Sequence, residues 1–215
     1  MKRPRSNLSR NLWALVWTLV VVLQLWDHFR DKPAAPTPEP DGHFVTLTNA
    51  RLVDDSSNDG DSFKIAHDGG EQVLRLYFVD CPEKRQYKLV EGRLKDQAGY
   101  FGGLSIPQTL NVGQEAKVFT ETRLREQRFS VQTRWERVYD SERVYAVVLF
   151  EDGEDLAAKL VKAGLCRIHT KGTLMPDGQR EFDFEARLRS LEKEAKAAQR
   201  GAWGKPKRTP AKPKT

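Results

Sequence analysis

Gln72-Val73-Leu74-Arg75-Leu76-Tyr77-Phe78-Val79-Asp80-Cys81-Pro82-Glu83 (residues 72–83) is the stretch on which the fold turns. Its first eight residues, rich in β-branched and aromatic side chains, read as a buried strand, and Pro82, which has no N–H to donate, ends it. Arg75 stands inside that run. A buried guanidinium is costly unless paired, and Asp59, Asp61, Asp80 and Glu83 all lie close to the strand's ends. Carboxylates gathered around one buried arginine form either an ion-pair cluster or a metal-and-phosphate site. Strict alternation sets Arg75 and Asp80, five residues apart, on opposite faces. A bulge or strong coiling near Tyr77–Val79 is needed to bring them together.

Upstream, His43–Val53 alternates apolar and polar residues as one strand, and Asn58-Asp59-Gly60-Asp61 is a turn leading into a short strand at Ser62–Ala66. His67-Asp68-Gly69-Gly70 turns the chain into the strand above, giving a three-part meander. Downstream, Gly113 precedes a helix over Gln114–Gln127, and Phe129–Tyr139 with Arg143–Phe150 reads as a hairpin. Glu154–Ala163 is a short helix closed by Gly164, Leu165–Ile168 is extended, and a helix covers about Arg180–Arg200. The pattern predicts an α+β chain, mainly a β barrel: a five-stranded OB-type barrel with about three helices. Residues 84–112 show no clear period and read as a surface insertion beside the site.

The chain has 215 residues with 36 Lys+Arg, 30 Asp+Glu, four His and two Cys. That is one globular domain with tails, and it excludes zinc-ribbon, disulfide-dense, collagen-like and multi-span membrane classes. The excess of positive charge sits at the two ends. Residues 1–10 carry four unopposed cations and residues 205–215 carry five, which leaves 27 positive and 30 negative side chains between them. A global basicity argument for nucleic-acid binding therefore fails, and any polyanion recognition by the core must come from a few placed cations.

Residues 12–26 (LWALVWTLVVVLQLW) follow that basic stub as an apolar run. A cationic start before such a run favours an export signal, and the absence of a small-residue cleavage motif before Asp27 favours an uncleaved signal-anchor. Residues 1–30 are thus expected to be a basic stub and a transmembrane helix, with the rest outside the cytoplasm; secretion after cleavage is the alternative. Residues 31–42 form a Pro-rich spacer, 43–204 the folded domain, and 205–215 a disordered basic tail.

Taken singly, the polar motifs are bland. Asp59-Gly60-Asp61 reads as a turn, Asp80 and Glu83 around a proline as a cap or solvated turn, and Arg143 as an ordinary strand-edge residue. Taken in order, they resemble the staphylococcal nuclease (thermonuclease) family. The likeness rests on Asp59-Gly60-Asp61-Ser62, on the Arg75-to-Glu83 segment, on Arg143 opening a strand, and on Gly164-Leu165-Cys166-Arg167-Ile168. It runs from about Phe44 to Gly204.

The resemblance implies an OB barrel with three helices and a Ca²⁺-dependent phosphodiesterase acting on DNA and RNA with little sequence preference, leaving 3′-phosphate ends. By position, Asp61, Asp80 and the backbone carbonyl of Cys81 match calcium ligands, and Asp59 a secondary carboxylate. Calcium, a hard cation, favours such oxygen donors. Glu83 matches the residue that orients or deprotonates the attacking water, and Arg75 and Arg143 match the pair that grips the scissile phosphate. Departures also stand out. Ser141-Glu142 replaces the family's Tyr-Gly before the second arginine, and the base-pocket tyrosines fall at Thr170 and Gly172. Tyr139, Tyr87 and Tyr100 are candidate replacements for substrate contacts. Cys81 and Cys166 read as two buried small side chains or, given export and the family's fold, as a disulfide. A non-catalytic envelope-anchored nucleic-acid-binding OB module is the rival reading.

Overall fold

A computed structural model describes residues 42–207. The expected anchor at residues 1–30, nearly all of the Pro-rich spacer, and the tail from residue 208 lie outside the described residues. No helix among the described residues is long and apolar enough to cross a membrane.

Eight strands are present among the described residues: β1 (Val45–Leu47), β2 (Arg51–Leu52), β3 (Ser62–His67), β4 (Gly70–Leu76), β5 (Val79–Asp80), β6 (Phe129–Arg137), β7 (Val144–Phe150) and β8 (Arg167–Ile168). Four helices accompany them: α1 (Glu91–Tyr100), α2 (Ile106–Glu126), α3 (Leu156–Lys162) and α4 (Glu181–Ala197). Six strands form one sheet in the order β1-β6-β7-β4-β3-β2, and β5 pairs with β8 in a second, two-stranded sheet. All pairs are antiparallel except β4 with β7.

The expected closed five-stranded barrel is corrected to this OB-like arrangement, whose large sheet is not closed. The segment read as one strand, His43–Val53, is bent at Asn49, which adopts φ 56°. Its first part pairs with β6 and its second with β3, at opposite edges of the sheet. Three residues separate the two parts, and so short a span holds the edges close. The bend is fastened by Asp68 of the β3–β4 turn, which accepts hydrogen bonds from Thr48 Oγ1 (2.7 Å) and Asn49 Nδ2 (2.8 Å). The core lies inside the curl and beneath α3 and α4, where Phe63, Ile65, Leu74, Leu76, Val131, Val144, Leu156, Leu160, Phe184 and Leu188 are buried.

Residues 84–112 are not a structureless insertion. They hold α1 and the first turns of α2, so the α-helices among the described residues number four and α2 starts eight residues before the expected Gln114. The start signal is a capping box: Ser105 Oγ accepts the Gln108 N–H while the Gln108 side chain accepts the Ser105 N–H, with a proline in the first turn. Gly113 does not begin the helix. It marks a close approach, because a Cβ there would lie 2.4 Å from the Pro82 carbonyl oxygen and 2.5 Å from that of Glu83. Gly60 is similarly confined, with a Cβ falling 2.7 Å from Ala116 Cβ and 2.8 Å from Cys81 Sγ. One face of α2 (Gly113, Ala116 and Thr120) thus presses on both acidic turns, and Thr120 Oγ1 donates to the Gly60 carbonyl at 2.6 Å.

Candidate active site

Between β4 and β5 the chain changes sheets. Phe78 adopts φ 68°, and the Val79 N–H donates to the Tyr77 carbonyl at 2.9 Å, closing a γ-turn around it. Phe78 also donates to the Lys171 carbonyl and accepts from His169, and its ring packs on Phe184. This turn breaks the alternation that would set Arg75 and Asp80 apart. It takes the place of the bulge required by the sequence reading.

Arg75 Nη1 donates to Asp61 Oδ1 (2.8 Å) and Nη2 to Asp80 Oδ1 (2.7 Å). All three side chains are largely buried. Asp61 Oδ2 accepts the backbone N–H of Cys81. Asp80 Oδ2 accepts from Arg167 Nε (2.7 Å) and from Gln97 Nε2 (2.9 Å). Gln97 Nε2 also donates to the Cys81 carbonyl (3.1 Å), and Gln97 Oε1 accepts the Glu83 N–H (3.1 Å). The Glu83 carboxylate pairs with Arg93 Nη2 at 2.6 Å. Asp59 Oδ1 accepts the Gly60 N–H (2.8 Å), and its loop is held from below by Lys84 Nζ, which donates to the carbonyls of Ser56, Ser57 and Asn58.

Arg143 stands one residue before β7. Tyr145, two residues further on, is the register partner of Arg75, so the two arginines share a sheet face. The Arg143 Nε–H is directed at Ser141 Oγ (3.4 Å), and Arg143 makes no ion pair among the described residues. Tyr145 stacks on Tyr77 with centroids 4.9 Å apart, and Tyr77 donates to Glu136 Oε2 at 3.0 Å. The candidate substrate tyrosines part company. Tyr139, at φ 51° on the β6–β7 turn, and Tyr87 are exposed. Tyr100 instead packs against Phe101 and Trp203 and donates to Glu192, so it offers no free face for a base. Cys81 and Cys166 form a disulfide between the end of β5 and the residue before β8.

Four carboxylates (Asp59, Asp61, Asp80, Glu83) thus meet three guanidinium groups. Burial pushes Asp61 up to about 7, with Asp59 and Asp80 adding to the effect and Arg75 opposing it. Asp59 rises to about 6, again chiefly through burial. Burial works in the same direction on Asp80, but Arg75, Gln97 and Arg167 outweigh it and hold that carboxyl below its ordinary value. Burial raises Glu83, reinforced by Asp61 and Asp80 and opposed by Arg93. The asymmetry follows from the pairing: Asp80 faces two guanidinium groups and Asp61 only one.

No three His, Cys, Asp or Glu side chains among the described residues converge as a cation cage. The oxygens nevertheless suit a hard cation. Each carboxylate oxygen can accept twice. Asp80 Oδ2 is filled, whereas Asp61 Oδ1, Asp61 Oδ2, Asp80 Oδ1 and the Cys81 carbonyl each carry one donor. Asp61 is also short of compensating positive charge, which a divalent ion would supply. Gln97 and Arg93 were not singled out from sequence, and Arg167 entered only as part of the Gly164–Ile168 motif, without a role at the site. Arg167 carried the same signal as Arg75, a cation in a short buried strand, whereas Gln97 and Arg93 lay in the segment without a period.

No curated protein matches the chain. A model of the staphylococcal nuclease homologue family matches residues 73–205, a span that takes in Arg75, Asp80, Glu83 and Arg143 and begins after Asp61. Covering well over half of the sequence, that match shows that the chain belongs to the staphylococcal nuclease family.

Proposed function

We propose that this chain is a Ca²⁺-dependent phosphodiesterase that hydrolyses DNA and RNA with little sequence preference and leaves 3′-phosphate ends. The observation that carries the reading is Arg75 bridging Asp61, on the turn before β3, to Asp80, with Glu83 three residues beyond Asp80 and Arg143 on the same sheet face as Arg75.

Asp61, Asp80 and the Cys81 carbonyl would hold the calcium ion, with Asp59 behind them. When bound, the ion supplies positive charge against the phosphate oxygens. Arg75 and Arg143 bind the scissile phosphate, and their fixed N–H donors stabilise the charge that grows on its oxygens as attack proceeds. Glu83 orients a water and takes its proton as the water oxygen bonds to phosphorus. The phosphorus–O5′ bond breaks, the 5′-oxygen leaves with a proton from solvent, and the phosphate stays on the 3′ side. Burial raises the proton affinity of Glu83 above that of an ordinary glutamate, which makes it the stronger base.

The reading includes placement outside the cytoplasm, anchored by residues 12–26 or released by cleavage. The export-like N-terminus and the disulfide support it. The second reading, a binding module that does not cut, is favoured by the Ser141-Glu142 turn and by the Arg93 contact on Glu83. Cleavage of single- and double-stranded DNA and RNA across a calcium titration, with chelator as control, separates the two. The enzyme reading requires calcium-dependent products with 3′-phosphates and a loss of about 10²–10⁴-fold in Glu83→Gln. Binding that persists in chelator without any hydrolysis would establish the module.

A further inference from the structure

Gln97 is fully buried, with 0% of its surface exposed. An ordinary core glutamine needs only some set of partners for its amide. This one spends its three hydrogen bonds on three of four consecutive residues: the Asp80 carboxylate, the Cys81 carbonyl and the Glu83 N–H. The fourth residue, Pro82, has no N–H, and its carbonyl lies against Gly113 of α2. Leu94, fully buried one turn away, seats α1 in the core, and Arg93 on the same helix reaches the Glu83 carboxylate. Helix α1 thus grips both ends of the Asp-Cys-Pro-Glu segment.

We propose that Gln97 is the positioning residue of this loop, fixing the spacing between the cation-facing carboxylate, the adjacent carbonyl and the general base. The inference rests on the phosphodiesterase reading above. Its content is directional. Together with Arg167, Gln97 fills Asp80 Oδ2, which turns the carboxylate so that Oδ1 faces Arg75, the guanidinium that also reaches Asp61. The same amide holds the Cys81 carbonyl, and its oxygen tethers the backbone of Glu83. Without it, the Asp80 carboxylate, the Cys81 carbonyl and the Glu83 backbone lose the one side chain that ties all three together.

Calcium binding to the full-length protein, measured by titration calorimetry, tests this with Gln97→Met and Gln97→Asn. Methionine fills the volume and removes all three hydrogen bonds. Asparagine keeps the amide but withdraws it by one bond, about 1.5 Å. Both variants are expected to bind calcium at least about tenfold more weakly and to lose at least about tenfold in kcat. KM for an oligonucleotide should change less than about twofold, since Arg75 and Arg143 are untouched, a split that a general loosening of the fold would not produce. A folded variant with wild-type calcium affinity and kcat overturns the proposal. Failure of both variants to fold also overturns it, by assigning Gln97 to the core alone. Wild-type protein that neither binds calcium nor cuts nucleic acid would instead remove the phosphodiesterase reading and this inference with it.

Discussion

Arg167 Nε lies 2.7 Å from Asp80 Oδ2, on the carboxylate oxygen that Arg75 does not touch. The two arginines come from different sheets, so Asp80 joins the large sheet to the small one through charge. Removing one member of such a buried pair leaves the other under-compensated. Arg167→Met should therefore destabilise the protein by about 3 kcal/mol. Urea unfolding measures this, and a change below about 1 kcal/mol would show that Asp80 is adequately held by Arg75 and Gln97.

Gly113→Ala separates helix propensity from close packing. Alanine favours a helix interior over glycine by about 1 kcal/mol, but its Cβ would meet two backbone carbonyls of the Pro82–Glu83 segment at 2.4 and 2.5 Å. Backbone cannot move aside as a side chain can. The expected net outcome is destabilisation of about 1–3 kcal/mol, together with reduced activity because Glu83 is displaced. A rise in Tm would contradict the close approach.

The Cys81–Cys166 bond spans 85 residues of sequence, which in the chain-entropy model corresponds to roughly 4–5 kcal/mol. Thiol titration of the denatured, unreduced protein should find no free thiols. Cys166→Ala should lower the urea midpoint accordingly and weaken calcium binding, because the Cys81 backbone contacts Asp61. Unchanged stability in the variant would indicate that the bond does not persist in solution.

Stability should fall as pH rises from about 4 to about 6. Asp155 caps α3, accepting from the Ala157 and Ala158 N–H groups, and its full burial raises it from 3.8 to about 6. Between those values the folded state holds a proton that the unfolded state has released. The associated stability is complete below pH 4 and is lost above pH 6. Asn also caps well, so Asp155→Asn should keep the helix and flatten the curve by on the order of 2–3 kcal/mol. Asp59 and Asp61 contribute with the same sign, and the wild-type-minus-variant difference isolates Asp155. Identical slopes would mean that Asp155 is ionised across the range.

The turn-flanked strands β3 and β4, the β6–β7 hairpin and the last two helices were legible because their periods and stop signals are strong. Arg75 was legible as a site residue because a cation amid apolar neighbours demands partners. The bend at Asn49 was not, since alternation runs through it, and its cause is a tertiary fastening to Asp68. Helix α1 was missed because its apolar face is narrow. The capping box Ser105-Ile106-Pro107-Gln108, which announces α2, could have been read. Gln97 carried no local signal at all, because its partners lie fourteen to seventeen residues upstream across a turn.

The γ-turn at Phe78 hands the chain from one sheet to the other between Arg75 and Asp80, and this has a consequence for how the protein comes to work. Each sheet alone holds a single ion pair, Arg75 with Asp61 in the larger and Arg167 with Asp80 in the smaller, and only when the two meet does Arg75 also reach Asp80. On the phosphodiesterase reading, a chain that has completed only its first half lacks Arg143 and Arg167 and is inert. Under that reading, competence is a late milestone of maturation, reached when the C-terminal third has locked into place.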